Sequence, residues 1–483
     1  MAVLMCNNWK IIRSINGLLT VTLLSLAAFC SHAADDSLTL DASVNVAEQL
    51  AAYEQQIEDL EFEFGPYDGS LLEPLESMIE LLNDIEDYEQ VAELQNRQLQ
   101  VMRTELGFEH PDLIPLLQSI MTTQLALGHW EDISDQLEHI RHLRSTVEGD
   151  NTELMLAAIQ DQIDWLFSRI TIESRREQAR NFFKARDLFE EIEDIAIDAY
   201  GKDSLEAAPW LYKVAYNEYH LVSFLNASRG LGSESIDRLI RQEGTFGLER
   251  QNRAGFSSGA SFGSSSITPF VDKGRPIGDG YLRDAYSMVN RIQDVVEEEA
   301  GLEAQAMIKI YRSDFQLLAD RGTAIRGYRE ARDMLLEAGI SEEDVLWYLE
   351  RPTVIPAQTL HLNFADALAE LRERIEPVTT SDEEINLGVF TSWTEELGST
   401  PMPEPENPFW ELDHPYLYAD VSFSVSSRGK ASSVDILATG PYEWDSKRSI
   451  WRSIRAIHFR PAIIENRARR VKDIRMRYQF IDE

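Results

Sequence analysis

Apolar residues recur three and four apart in two stretches near the N-terminus, LLEPLESMIELL (71–82) and LIPLLQSIMTTQLAL (113–127). That is the spacing of one buried face of an α-helix. Each stretch gives way, after a short polar break, to a second amphipathic segment opening on an aromatic residue, Tyr88 and Trp130. The paired pattern has a fixed stride. Gly65, Gly107 and Gly149 stand 42 residues apart, and Asp87-Tyr88-Glu89 returns 42 residues later as His129-Trp130-Glu131. Pro74-Leu75 and Pro115-Leu116 follow the first two glycines. A fourth unit opens at Gly201, with Pro209 at the offset of eight that separates Pro115 from Gly107. The longer step of 52 to Gly201 places an insertion near ITIESRREQA. Each glycine stands where a helix would stop, as in RTELG and STVEG. One such pair cannot bury its own apolar stripe, whereas stacked pairs can, so residues 34–227 are expected to form an α-solenoid.

The pattern breaks at 228–280, a Ser/Gly-rich stretch that reads as a linker or loop. Helical spacing resumes in YLRDAYSMVNRIQDVVEEEA, and residues 281–400 are expected to be a further helical repeat region. PMPEPENP opens a Pro-rich linker, 401–418. Beyond it the period changes to two. Ala419, Val421, Phe423 and Val425 alternate with polar residues, Ser427-Arg428-Gly429-Lys430 supplies a turn, and Val434 and Ile436 continue on a return strand. In the helix that follows, Ile450, Trp451, Ile454 and Ile457 share one face and Arg448, Arg452 and Arg455 the other. The last strand turns Ile474, Met476, Tyr478 and Phe480 inward and Arg475, Arg477 and Gln479 outward. Residues 419–483 therefore read as a small α+β domain, and the whole chain as mostly α.

Two families are resembled. GFEHPDLIPLL (107–117), FFKARDLF (182–189) and GYREARDML (327–335) resemble the tetratricopeptide repeat (TPR) in a 42-residue form, with Tyr328 and Ala331 at the aromatic and small positions where paired helices approach. Val91 and Ile133 depart from that pattern, standing where a small residue is usual. VSFSVSSRGKASSVDIL, the helix after it, Phe459-Arg460-Pro461-Ala462 and the last strand resemble the C-terminal domain of the TonB energy-transducer family. This resemblance implies a partner among outer-membrane proteins, bound by strand addition along Ile474, Arg475, Met476, Arg477, Tyr478, Gln479 and Phe480. It departs from the family in lacking a long Pro-rich spacer and a helix before the first strand.

The N-terminus reads as an address. Lys10 and Arg13 precede the apolar INGLLTVTLLSLAAFC, and SHAA offers small residues for a cut after Ala33. Residues 1–33 are therefore a signal peptide, and the expected location is the periplasm of a Gram-negative bacterium. The alternative is an uncleaved inner-membrane anchor, which would make the chain a TonB-type energy-transducing component. Both cysteines, Cys6 and Cys30, lie inside the signal, so the mature chain has neither disulfides nor thiol chemistry. No membrane span is expected in it.

Charge sharpens the picture. Over the 483 residues the formal net charge is −38, which repels phosphate backbones and argues against nucleic acid as partner. Residues 419–483 invert that sign, with 13 Lys and Arg against 8 Asp and Glu; the rest of the chain carries −43. Arg448, Arg452 and Arg455 then form a basic helix face suited to an acidic surface, the chain's own repeats included. No phosphate loop or nucleophile elbow is present. His139 and His142 beside Glu138 lack a third ligand, so no metal is assigned. No catalytic residue, cofactor or enzyme activity is assigned either. The expected function is an envelope scaffold that binds a protein or peptide.

Overall fold

The computed structural model describes residues 35–147, 152–172, 175–227, 279–319, 322–375, 385–392, 416–441 and 447–481. The expected signal peptide, nearly all of the 228–280 segment, and the expected 401–418 linker up to residue 415 lie outside the described residues. The described chain is mostly helical, with a few strands in small sheets. It falls into two compact units that meet in sequence between Glu105 and Leu106.

The first unit holds α1 (Asp35–Phe64), α2 (Leu72–Asp84) and α3 (Tyr88–Leu106) up to Glu105. The 71–82 stripe faces inward as its spacing requires. Leu71, Leu75 and Met78 meet Ile57 of α1 and Val101 of α3, and Ile79 and Leu82 close on Val91. Asp68 accepts a hydrogen bond from the Ser70 N–H (3.0 Å) and starts the turn into α2. Pro74 sits in the first turn, where its missing N–H costs no helical bond.

The second unit opens with α4 (Leu113–Ala126), α5 (Trp130–Val147), α6 (Thr152–Ile172), α7 (Arg175–Tyr200) and α8 (Ala208–Ala227). It continues through α9 (Asp279–Glu299), α10 (Leu302–Leu318), α11 (Ala324–Glu337) and α12 (Glu342–Leu349). Among the described residues, each helix from α4 to α12 packs on the next described helix. The recurring glycines end helices in the left-handed conformation, at φ +101° for Gly65, +95° for Gly107 and +94° for Gly201. Gly149 is outside the described residues. Tyr328 and Ala331 are fully buried on α11.

After α12 come β1 (Thr353–Val354), α13 (Phe364–Ile375) and β2 (Asn386–Ser392), then β3 (Tyr416–Val425) and β4 (Ala431–Gly440). The chain ends with α14 (Lys447–Ala456), β5 (Phe459–Arg460), β6 (Ala462–Ile464), β7 (Arg467–Arg469) and β8 (Val471–Ile481). The main sheet has the order β2-β8-β3-β4. β3 is antiparallel to both neighbours, and β2 runs parallel to β8. Within 281–400 the run of helices ends at Leu349, and β1 and β2 come from the stretch beyond it, on either side of α13.

The C-terminal residues are also built into the helical core. β5 pairs with β1. Ile463 of β6 joins the core formed by α8–α13, while Val354 of β1 packs against the core between the sheet and α14. The expected break at 401–418 therefore does not leave 419–483 as a free-standing domain; its apolar surface is shared with helices more than a hundred residues earlier.

Candidate functional site

A fully buried link between helices and sheet lies at β5. Alternation along this short strand sends Phe459 into the sheet core, where its ring lies 5.4 Å from that of Phe423. Arg460 points the other way, into the helices. Its Nε and Nη2 donate to Asp314 of α10 at 3.0 and 2.7 Å, a bidentate pair with side chains 1% and 0% exposed. The Tyr328 hydroxyl donates to the same carboxylate at 2.8 Å. The guanidinium lies 5.8 Å from the Tyr328 ring and 5.3 Å from the Tyr348 ring. Burial pulls the Arg460 pKa down, but Asp314 and the two tyrosines outweigh it, and the net shift is well upward. Burial, with the Asp314 charge added, pushes the Tyr328 phenol well up, so it stays a hydrogen-bond donor. Arg460 belongs to the Phe459-Arg460-Pro461-Ala462 motif, but nothing in the sequence marks it or Asp314 as a buried pair.

The strand expected to accept a partner has no free edge. Asn386, Val389, Phe390, Thr391 and Ser392 of β2 pair with Arg475, Arg477, Tyr478, Gln479 and Phe480, and β3 occupies the opposite side. Strand addition along 474–480 is thus corrected, because β2 already fills that place. The inward and outward sets stand as read: Ile474, Met476, Tyr478 and Phe480 are buried. Arg477 is held by Asp420 at 2.7 and 2.9 Å and lies 4.0 Å from the Tyr418 ring. Gln479 donates to Thr391 at 2.8 Å, and Arg475 is exposed.

α14 keeps its outward stripe. Ile450, Ile454 and the following Ile457 are buried, and Arg448, Arg452 and Arg455 are exposed. Trp451 departs from its expected place in the apolar face. It is 42% exposed, with the Arg455 guanidinium 4.3 Å from its ring. Among the described residues of this unit the three arginines make no ion pair with the helices, whereas Arg460 is paired with Asp314 of α10.

Sequence reasoning also missed a polar cluster between α6 and α8. Gln160 donates to Asp164 at 2.8 Å, and Asn217 donates to Gln160 at 2.9 Å. Burial raises Asp164 to about 6, and burial with the Asp164 charge raises Asp161 to about 7, both against the pull of Lys213. Asp284 on α9 is raised by burial to about 7. His220, packed against the rings of Phe167 and Tyr216 at 5.4 and 4.5 Å, is lowered by burial to about 3. Burial and Lys430 lower His458 likewise to about 3.

These shifts fix a pH dependence. A carboxylic acid with a raised folded pKa contributes stability below its unfolded pKa near 4 and loses it as pH rises through the folded value. A histidine with a lowered folded pKa does the reverse between 3 and 6.5. From pH 4 to 6.5 the two classes oppose each other. Above 6.5 the unfolded histidines shed their last protons, and the groups that still titrate in the folded chain are the buried carboxyls Asp161, Asp284 and Glu218, the last raised well above the usual carboxylate range by burial and the Asp284 charge. Folding stability is expected to fall by about 1–2 kcal/mol between pH 6.5 and 8, as measured by urea denaturation. Asp161→Asn should remove about 0.5–1 kcal/mol of that fall. A flat or rising profile would contradict the assignment.

The remaining sequence candidates are not brought together. His142 faces Glu109 at 3.8 Å. Among the described residues no group of three or more His, Cys, Asp or Glu is placed to hold a metal ion, and no helix is long and apolar enough to cross a membrane. Trp165 is buried and donates to Ser134 at 2.9 Å. Trp347 is half-buried beside the guanidiniums of Arg351 and Arg372, 4.6 and 5.1 Å from its ring.

No protein-family model and no curated protein matches this chain. Among solved structures, it is similar to the crystal structure of BtubC (BKLC) from P. vanneervenii, at 12% identity over 62% of this chain and 93% of that one. The TM-score of 0.27 is too low for that likeness to carry an argument.

Proposed function

We propose that the chain is an exported scaffold of the bacterial envelope, which binds a protein or peptide through stacked helix pairs and carries its TonB-like C-terminal module as a second contact. The observation behind this reading is the run of described helices from α4 to α12, each packed on the next described one. Such packing lets repeated pairs bury their stripes in a linear array and leaves extended faces for a partner. The helix-ending glycines support the same stride. The Arg460–Asp314 junction supports a module held at a set orientation on those helices. The function is binding; no reaction is assigned.

Export is tested on protein purified from a Gram-negative host. Mass spectrometry of the intact chain should find Ala34 at its start, in the fraction released by osmotic shock. A chain that retains Met1 and sediments with inner membranes overturns the scaffold reading in favour of an anchored transducer. Envelope extracts passed over the immobilised full chain then identify the partner.

A further inference from the structure

We propose that the outward stripe of α14, formed by Arg448, Trp451, Arg452 and Arg455, docks an acidic segment of a partner protein. This rests on the reading of the chain as a binding scaffold and names the chemistry of its second contact.

Positions 448, 451 or 452, and 455 succeed one another in steps of three and four, so they line one side of the helix. Its other side is locked, with Ile450, Ile454 and Ile457 buried against the sheet. The stripe is thus presented by a fixed helix, and little ordering remains to oppose binding. Among the described residues none of the three arginines is paired with a carboxylate, although the chain holds 83 Asp and Glu. Elsewhere on this unit surface arginines do find acids: Arg477 with Asp420, Arg372 with Asp344, Arg291 with Glu193 and Arg141 with Glu191. The sequence from Lys447 to Ile464 contains no acid at all. A segment so cleared of acid, within a chain of net charge −38, is complementary to an anion brought from outside.

Trp451 narrows the choice of anion. A tryptophan at the centre of a basic stripe, 42% exposed and stacked by Arg455, combines the two residue types that most often dominate protein interfaces. Guanidinium forks match carboxylates bidentately. Successive arginines sit about one helical turn apart, roughly 5.4 Å along the axis. Acids on alternate residues of an extended segment, about 6.8 Å apart, can meet them. A lipid surface fits less well. A helix lying in a bilayer interface must offer its apolar face to the acyl chains, and the isoleucines of α14 are already buried in the protein. An anionic bilayer would also repel the rest of this chain.

The test uses the full chain and a fluorescein-labelled peptide of alternating glutamate and alanine, read by fluorescence anisotropy. Vesicles of phosphatidylglycerol are assayed in parallel by co-sedimentation. The peptide should bind saturably at low ionic strength and be released as salt shortens the Debye length below about 8 Å. The Arg448→Glu/Arg452→Glu chain should lose at least about tenfold in affinity, and Trp451→Ala several-fold. These side chains are exposed, and Arg448→Gln/Arg452→Gln repeats the test without reversing charge. Failure of the wild-type chain to bind, equal affinity in wild type and variants, or binding to vesicles alone each overturns the proposal. If the variants still recover the same envelope partners, the scaffold reading stands and this face falls.

Discussion

Replacing Arg460 by methionine is expected to cost about 3–5 kcal/mol of folding stability. The reason is what stays behind. Asp314 is fully buried on α10, and its two oxygens accept from Arg460 and from the Tyr328 hydroxyl. Without the guanidinium, that carboxylate either remains charged in a medium that solvates it poorly or takes up a proton at a free-energy cost. Asp314→Leu should be similarly damaging, since it leaves the arginine buried without a counter-charge. The double variant Arg460→Met/Asp314→Leu removes both charges and should be far less destabilised than the two single changes added together. The Arg460 Nη1 atom is buried without a hydrogen bond, so the native pair itself is not fully satisfied. Urea denaturation of the four chains gives the coupling directly. A single Arg460→Met change costing under about 1 kcal/mol, the range of an exposed pair, would refute a stabilising junction here.

That junction marks where local reading of the sequence stops. Helix pairs were legible because their signal is local: the 71–82 and 113–127 stripes face inward at the spacing that predicts it. The β3–β4 hairpin was legible for the same reason, and so was the inward set of β8. β2 was not. NLGVFTS is seven residues long, and its partner strand lies about ninety residues further on, so its identity depends on a pairing that local periodicity does not carry. Arg460 was hidden differently. It sits in an arginine-crowded segment, and only the alternation of β5 against β1 decides that this one points inward, to a carboxylate 146 residues away. Trp451 stands one residue, hence about 100°, from Ile450. At the border of a narrow apolar stripe, an aromatic read as core from sequence can face solvent.

The filled edge matters for function. A C-terminal strand read as an open edge suggested capture by β-augmentation. With β2 in place, the surface left for recognition on this module shifts from backbone to side chains. In the proposal made above, recognition depends on a charged helix face whose orientation is set by the core beneath it, and by the turn that seats the sheet on the helices.

Gly429 is that turn, and Gly429→Ala is expected to cost about 2–5 kcal/mol, the sum of a backbone contribution and a steric one. The residue has φ +70°, where an L side chain costs about 1–2 kcal/mol. A Cβ there would also overlap the Phe459 carbonyl oxygen and come within 3.1 Å of Leu317 Cδ2 on α10. The obstructing group is backbone, so it cannot swing aside as a flexible side chain would, and overpacking of this kind adds about 1–3 kcal/mol. The strand moved would be β5, whose Phe459 N–H donates to the Gly429 carbonyl at 3.0 Å and whose next residue is Arg460. Gly107→Ala supplies the control. Gly107 has φ +95°, but a methyl group added there would meet nothing within 4 Å, so only the backbone contribution applies and about 1–2 kcal/mol is expected. Denaturation midpoints of the two variants separate the contributions. Equal losses would mean that the hairpin does not bear on β5. A larger loss at Gly429, together with weaker coupling between Arg460 and Asp314 in that background, would show that turn and ion pair seat the module as one unit.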